Sequence, residues 1–179
     1  MTNTALDTYN LDISHSEIGF KIKHLGLSTV KGAFTAAEAA LEMDGEDLNT
    51  LSASASIDVN SINTKNEDRD NHLKSGDFFD VASYSSMTFK STGVSGINRN
   101  TFKLHGDLTI RDTTKSIILD VEYLGTATDP WGGQRVAFEA QGTFNRKDFG
   151  LTWNQVLEAG GLLVAEDVKL TLEIQAVKA

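Results

Sequence analysis

The segment from Phe102 to Ile110 alternates apolar and polar residues along its whole length. Its even positions are apolar or glycine, whereas Lys103, His105 and Asp107 among the odd positions are polar. Because successive side chains of a strand point to opposite faces, this pattern predicts a long β-strand with one dry face and one wet face. The same period of two recurs in further segments: 18–24, 51–59, 117–123, 136–144 and 168–176.

The number and spacing of these segments predict an all-β chain of about eight strands. An antiparallel up-and-down barrel is favoured because closure removes both unpaired sheet edges. An open sandwich of two sheets is the alternative. The length of 179 residues fits one domain spanning residues 1–179. Between Val30 and Met43 the phase of alternation changes near Thr35–Ala37, which predicts a β-bulge there.

One segment breaks the period of two and predicts a helix. Thr64 and Glu67 have the S/T-x-x-E spacing of a capping box, in which side chains satisfy the first helical N–H groups. We expect a short polar helix from about Lys65 to Lys74, ended by Gly76. Leu73 is its only apolar residue, so the helix is expected on the surface at one end of the barrel.

Charge and composition exclude several classes of function. A formal net charge of −9 argues against nucleic acid and against anionic membrane surfaces as partners. The absence of cysteine excludes disulfides and thiolate metal sites. No apolar run approaches the ~20 residues that span a bilayer, so stable membrane insertion is not expected. The first residues lack the basic and apolar regions of a secretory signal, and we expect a cytoplasmic protein.

Small residues at inward positions suggest that the barrel is hollow. Eight strands enclose an interior that either side chains fill or one small ligand occupies. Strands of about a dozen residues span close to 40 Å at ~3.3 Å each, which favours a tall apolar tunnel suited to a hydrocarbon chain. The alternative is a solid core in which large and small residues interdigitate. The predicted tunnel lining is Ile18, Phe20, Ile22, His24, Ala53, Ala55, Ile57, Phe89, Leu104, Leu108, Leu119, Phe138, Ala140, Phe144, Leu170 and Leu172.

Several short motifs occur in one order over nearly the whole chain: Leu11–His24, Val30–Phe34, Ser61–Thr64, Arg69–Leu73, Asp77–Asp80, Leu108–Ile110 and Phe144–Gly150. Together they resemble the YceI-like family. The resemblance implies an elongated, lipocalin-like, eight-stranded antiparallel barrel with an amphiphilic lipid inside. It also implies that the chain carries or stores a polyisoprenoid, such as a prenyl phosphate or quinone, without catalysis. No cofactor is expected.

Four polar residues are candidates to bind a lipid head group at the mouth: His15, Arg69, His72 and Arg146. His15 precedes the first long strand, and the alternative is that it bonds the turn there. Arg69 and His72 stand three residues apart on one side of the predicted helix, where a solvated surface is the alternative. Arg146 falls on the inward side and keeps its charge when buried, so an ion pair with Asp148 is the alternative to ligand contact.

Other functions are weighed against lipid binding. His24 falls on the apolar face, either as a polar spot in the tunnel or as a core histidine with a hydrogen-bonded neighbour. The four histidines lack the spacing of a metal site, and no G-x-S-x-G motif is present, so no metal site or catalytic residue is predicted. An enzyme acting on a lipid head group and a solid-cored stress or interaction protein remain alternatives. So does a homodimer formed through an outer sheet face.

Overall fold

The computed structural model describes residues 5–158 and 162–179, which contain eleven strand segments and one α-helix. The strands are β1 (Asp7–Leu11), β2 (Glu17–His24), β3 (Ser28–Phe34), β4 (Ala37–Asp44), β5 (Asp47–Asp58), β6 (Ile62–Asn63), β7 (Ser86–Asn98), β8 (Thr101–Ile110), β9 (Thr113–Thr128), β10 (Gln134–Asn145) and β11 (Asp167–Lys178). The α-helix, α1, spans Glu67–Lys74. Short 3-10 helices span Ile13–His15, Val59–Ser61 and Arg146–Phe149.

These strands close into an antiparallel barrel. β1 and β2 lie end to end along β11, and β3 and β4 lie end to end beside them, so each pair forms one interrupted strand. Around the barrel the order is β1/β2, β3/β4, β5, β7, β8, β9, β10 and β11. β11 closes the ring by pairing with both β1 and β2. The predicted eight-stranded antiparallel barrel is therefore confirmed within the described residues.

The β-bulge predicted near Thr35–Ala37 is instead a two-residue break that separates β3 from β4. Thr35 and Ala36 leave the sheet, and their N–H groups donate to the backbone oxygen and the Oγ of Ser61, at 3.3 and 3.0 Å. Beyond the break the inward positions change from even to odd numbers, as Phe34 and Met43 show. A second break, which the sequence pattern did not predict, separates β1 from β2 at residues 12–16.

The predicted capping box is wrong, and the helix begins two residues later than expected. Asn66 is the N-cap, and its side chain accepts from the N–H of Arg69 at 3.0 Å. Thr64 is instead buried, and its N–H and hydroxyl both donate to Asp70, at 2.9 and 2.6 Å. Asn66, two residues after Thr64, therefore caps the helix in place of Thr64. Within the described ranges, no helix is long and apolar enough to cross a lipid bilayer.

The two ends of the barrel differ. At the closed end, which carries the turns at 45–46, 99–100 and 129–133, a dense cluster fills the interior. Phe102 and Phe138 meet edge to face there, with ring centroids 6.4 Å apart. The open end carries the β2–β3 turn, α1 and the connection from β10 to β11. Its smaller core leaves space in the interior, and that space is the site described next.

Candidate functional site

An apolar cavity of about 350 Å³ occupies the open half of the barrel. This volume falls within the range of about 300–1,000 Å³ that small-molecule sites occupy. Nearly all of its wall is hydrocarbon, contributed by β2, β5, β8, β10 and β11 and by the segments that cover the open end. Such a wall favours the burial of an apolar ligand over that of a polar one.

The burial of inward residues shows on which side the barrel is hollow. On β8 the inward residues Phe102, Leu104, Leu108 and Ile110 are all buried. On β2 and β11 the corresponding residues are only half-buried: Ile18, Phe20, Ile22, Val168, Leu170, Leu172 and Ile174. Inward side chains that remain partly accessible face open space rather than packed neighbours. The cavity therefore lies against the wall formed by β2 and β11.

Most of the predicted lining residues border this cavity: Ile18, Phe20, Ile22, His24, Ala55, Ile57, Phe89, Leu108, Leu119, Phe144, Leu170 and Leu172. The remaining predicted residues pack in the cluster of the closed end instead: Ala53, Leu104, Phe138 and Ala140. The expectation of a tunnel through the whole barrel is thus wrong. On β2 the lining runs from Ile18 to His24, which is about 20 Å. The prediction failed at the closed end because alternation identifies the inward face of a strand but does not show where side chains from opposite walls pack against each other.

Small residues enlarge the cavity in specific places. Ala39 of β4 and Ala55 of β5 are directly opposite each other and both line it. Gly106 of β8 lies under the ring of Phe89, so a Cβ at this position would overlap that ring. The absence of a side chain at Gly106 therefore leaves the room that the Phe89 ring occupies.

The cover of the open end was not predicted from the sequence pattern. α1 and the segment after it contribute Leu73, Phe78 and Phe79, and the connection from β10 to β11 contributes further lining residues: Leu151, Trp153, Leu163 and Val164. These apolar residues lie in irregular segments, where periodicity gives no signal. Their only sequence signal is that aromatic residues in a polar loop need something to pack against.

Arg146 is buried beneath this cover, with 2% of its surface exposed. Its Nη1 donates to the backbone oxygens of Leu151 and Trp153, at 2.6 and 2.9 Å. Its Nε and Nη2 donate to those of Ala165 and Val164, at 2.8 and 3.3 Å. The alternative of an ion pair with Asp148 is wrong, since Arg146 donates to backbone carbonyls instead. Arg146 borders the cavity. Its guanidinium holds together the two parts of the connection from β10 to β11, one around Leu151 and Trp153 and the other around Val164 and Ala165.

Burial lowers the pKa of Arg146 from its ordinary value, and the charge of Glu166 acts in the opposite direction. Glu166 accepts a hydrogen bond from Lys147 at 3.0 Å, which is the main cause that holds the pKa of Glu166 below its usual range. An arginine remains protonated in proteins despite burial. The cover thus contains one permanent, fully buried positive charge that four dipoles stabilise.

Arg69 and His72 lie at the mouth, and both border the cavity. Arg69 donates through Nε to the Thr64 hydroxyl at 2.8 Å and through Nη2 to the Thr64 backbone oxygen at 2.7 Å. Its Nη1 has no hydrogen-bond acceptor within residues 5–158 and 162–179. One edge of this guanidinium is therefore available to an anionic group at the mouth.

His72 has both a polar and an apolar environment. Its Nε2 lies 2.9 Å from a carboxylate oxygen of Asp77. Its ring meets those of Trp153 and Phe78 edge to face, at centroid distances of 4.6 and 5.1 Å. The three rings connect α1 to the connection from β10 to β11. His24, by contrast, ends β2, where it forms an isolated bridge with Val164 of the connection from β10 to β11.

His15 does not border the cavity. Its side chain is 61% exposed, and Nδ1 lies 2.8 Å from Asp12 in the break between β1 and β2. Asp12 also accepts from Arg135, which in turn bonds Asp129. A hydrogen bond from Ser14, followed by those from Arg135 and His15, holds the pKa of Asp12 well below its usual range. This network fits the structural alternative for His15 and stabilises the strand break.

The described residues contain no group of three or more histidine or acidic side chains arranged to hold a metal ion. Of the four head-group candidates, the structure brings together Arg69, His72 and Arg146 around the open end and places His15 elsewhere. The site combines a hydrocarbon-lined interior with a polar rim, which is the arrangement that an amphiphile needs.

Comparisons with known proteins agree with this geometry. The model of the YceI-like domain matches residues 9–176. UPF0312 protein SAS2572 of Staphylococcus aureus is 44% identical over 165 residues, which cover 92% of this chain and 94% of that protein. The YCEI protein of Campylobacter jejuni is 34% identical, with a TM-score of 0.76 over 94% of this chain and 96% of that one. A polyisoprenoid-binding domain from Saccharophagus degradans shares the fold, with a TM-score of 0.68 at 16% identity over 96% and 98%.

Proposed function

This chain belongs to the YceI-like family, and on that premise we propose that it binds one long-chain isoprenoid lipid in the cavity of its open half. The observation that carries this proposal is the cavity of about 350 Å³, which lies behind a polar rim and is bounded almost entirely by hydrocarbon. The name of the Saccharophagus degradans domain, which describes polyisoprenoid binding, supports the same ligand class.

The free energy of binding would come from the apolar chain. Each CH₂ group transferred from water to such a wall contributes about 0.8 kcal/mol. A branched, unsaturated isoprenoid would fill the irregular space between Phe20, Phe89 and Phe144, which are among the lining residues. The wall offers few hydrogen-bond partners, so the cavity selects for length and apolarity rather than for a particular polar pattern.

The head group would lie at the mouth. The outward edge of Arg69 and the ring of His72 are among the polar groups that border the cavity there, together with Lys23, His24 and Thr64. A phosphate or a quinone carbonyl could accept from Arg69 Nη1, whereas Arg146 is fully engaged with carbonyls and would hold the cover instead. We propose storage or transport without chemistry, because the polar groups at the mouth are suited to bind and orient a head group.

A substitution that fills the cavity tests this proposal. Ala55 points into the cavity from β5, and its neighbour Ser56 points outward and is exposed. Ala55→Trp would place an indole where the ligand lies, and Ser56→Trp adds the same side chain on the same strand outside the barrel. The assay is equilibrium binding of radiolabelled geranylgeraniol, with displacement by a fluorescent fatty acid as a second readout.

Ala55→Trp is expected to weaken binding about 100-fold, since the indole excludes roughly 100–150 Å² of ligand contact at about 25 cal/mol per Å². Ser56→Trp is expected to bind like the parent chain. Thermal unfolding confirms that both variants fold. Equal affinity of the two variants for geranylgeraniol would place the ligand outside the cavity and overturn the proposal.

A further inference from the structure

We propose that the open end docks on the surface of an anionic lipid bilayer, with the β2–β3 turn inserted at the head-group level. The inference rests on the proposed function, because a ligand of this class resides in a membrane before the protein takes it up. Two surface features carry it: exposed leucines at the tip of the β2–β3 hairpin and a row of lysines on the outer wall just behind that tip.

The hairpin tip combines an unfavourable backbone conformation with exposed apolar side chains. His24 pairs with Ser28, so the connection has three residues. Leu25 and Gly26 have φ values of +59° and +67°, and the N–H of Leu27 donates to the His24 oxygen at 3.1 Å, which makes a tight turn with two left-handed central residues. Such turns favour asparagine or aspartate at the first position, and a bulky apolar residue there is strained. Leu25 is nevertheless 41% exposed, and Leu27 is 82% exposed. The tip thus exposes two leucines to solvent, and one of them, Leu25, also has an unfavourable backbone conformation.

These leucines are continuous with the rim of the cavity. The N–H of Leu25 donates to the backbone oxygen of Leu163 at 2.9 Å, and His24 forms a bridge with Val164. Next to this contact, Val156 and Leu162 pair with each other and are 76% and 41% exposed. An exposed apolar rim therefore surrounds the side of the mouth at which β2 ends. Apolar groups at the opening of a lipid site are suited to contact the membrane that supplies the lipid.

Behind the tip, lysines stand directly opposite one another on the outer face. Lys21 of β2 is paired in register with Lys31 of β3 and with Lys169 of β11. None of these lysines forms an ion pair within the described part of the chain. Like charges directly opposite are unfavourable, so the row is a site that an anionic surface would stabilise. Lys23 lies two residues closer to the tip, about 7 Å along the strand.

The opposite charge accumulates farther from the mouth. A row of exposed glutamates crosses the strands in register, from β9 to β2: Glu122, Glu139, Glu173 and Glu17. Glu17 lies four residues from Lys21, which is about 13 Å along β2. On β2, β3 and β11 the outer wall is therefore basic near the mouth and acidic away from it. The chain as a whole carries a net charge of −9, and α1 at the open end exposes Glu67 and Asp68. An anionic bilayer would attract the lysine row and repel the glutamate row, so the side of the opening at the β2–β3 turn would face the membrane.

The test measures binding to vesicles of equimolar phosphatidylcholine and phosphatidylglycerol, with pure phosphatidylcholine vesicles as the reference. One variant carries Lys21→Gln and Lys31→Gln, and its control carries Lys90→Gln and Lys103→Gln on β7 and β8, on the far side of the barrel. Another variant carries Leu25→Asn, a residue that the turn geometry prefers, so that loss of binding cannot come from a disrupted hairpin.

The parent chain is expected to bind the anionic vesicles and to bind pure phosphatidylcholine much more weakly. Neutralising Lys21 and Lys31 should weaken vesicle binding about 25-fold, at about fivefold per lysine, and the control pair should change it less than about threefold. Leu25→Asn should weaken it roughly fivefold. Equal vesicle binding by the parent chain and both variants would overturn the docking proposal, and so would equal loss in the control pair.

A second readout separates this proposal from the proposed function. Binding of geranylgeraniol from solution, without vesicles, should be unchanged in Leu25→Asn and in the variant with both Lys21 and Lys31 replaced, because none of the three lines the cavity. Transfer of geranylgeraniol out of anionic vesicles should slow in both variants. Failure of the unmodified parent chain to bind geranylgeraniol would instead contradict the proposed lipid binding itself. Capture of a protein partner that competes with the vesicles would show that the leucines serve a protein interface.

Discussion

Replacing Arg146 by methionine separates its role in the cover from a role in binding a head group. Methionine keeps the apolar length of the side chain and removes the guanidinium that donates to the oxygens of Leu151, Trp153, Val164 and Ala165. These carbonyls belong to the two parts of the connection between β10 and β11 that lie over the cavity. Without the guanidinium, the two parts are expected to separate.

The magnitude follows from the number of acceptors that lose their donor. A buried polar group left without a partner costs about 1–3 kcal/mol, although carbonyls near the mouth can regain water. Removing a buried charge also recovers part of its desolvation cost. We expect a net loss of about 3 kcal/mol in the free energy of unfolding. For a chain of this size that lowers the melting temperature by about 6–12 °C.

The assays are thermal unfolding, amide hydrogen exchange and binding of two ligands, geranylgeraniol and its pyrophosphate. Arg146→Met should accelerate exchange of the amides at 151–155 and 162–166 and weaken both ligands by the same factor, because the cover serves both. The control Arg135→Gln, which removes an arginine at the closed end, should destabilise the fold without this local exchange. Selective loss of the pyrophosphate, with unchanged exchange, would refute the reasoning and assign Arg146 to the head group.

Further predictions concern the two halves of the barrel. Phe102→Ala should cost about 3–5 kcal/mol in unfolding free energy, yet change ligand affinity little, because Phe102 packs in the closed half; a large affinity loss in titration would contradict this. Gly106→Ala should displace the Phe89 ring into the cavity, costing about 1–3 kcal/mol and weakening geranylgeraniol binding, and unchanged affinity would show that the ring yields elsewhere. Bonds from Ser14 and Gly133, together with Arg135, lower the pKa values of Asp12 and Asp129, so the folded state should lose stability as the pH falls below about 4. Thermal unfolding between pH 7 and 2 measures this loss; Arg135→Gln should flatten it, and a midpoint independent of pH would contradict it.

Much of the fold was predictable because alternation reports directly on which face of a strand is buried. The run from Phe102 to Ile110 became β8, and the phase change near Thr35–Ala37 became the break between β3 and β4. The break at residues 12–16 was missed because it depends on long-range bonds, such as that from Ser16 Oγ to the Gln175 backbone oxygen. The start of α1 was misplaced because Asn66 and Thr64 are both good N-cap residues, and only the tertiary bond to Asp70 decides between them.

The site was predictable on the strands and not in the loops. Parity found Phe20, Ala55 and Leu170 on the cavity wall. It also assigned Phe138 and Ala140 to a tunnel, because periodicity carries no information on how far side chains from opposite walls reach toward each other. Trp153 and Phe78 were missed since irregular segments have no period to read. The cytoplasmic location and the homodimer remain predictions.

The dependence of affinity on ligand length tests the central claim most directly. The claim is that one hydrocarbon chain completes the packing of the open half of the barrel. Equilibrium binding of geraniol, farnesol and geranylgeraniol should show one ligand per protein, with affinity that rises about tenfold or more for each added isoprene unit until the cavity is full. Equal affinities across the series, or uptake that does not saturate at one ligand per chain, would contradict the account.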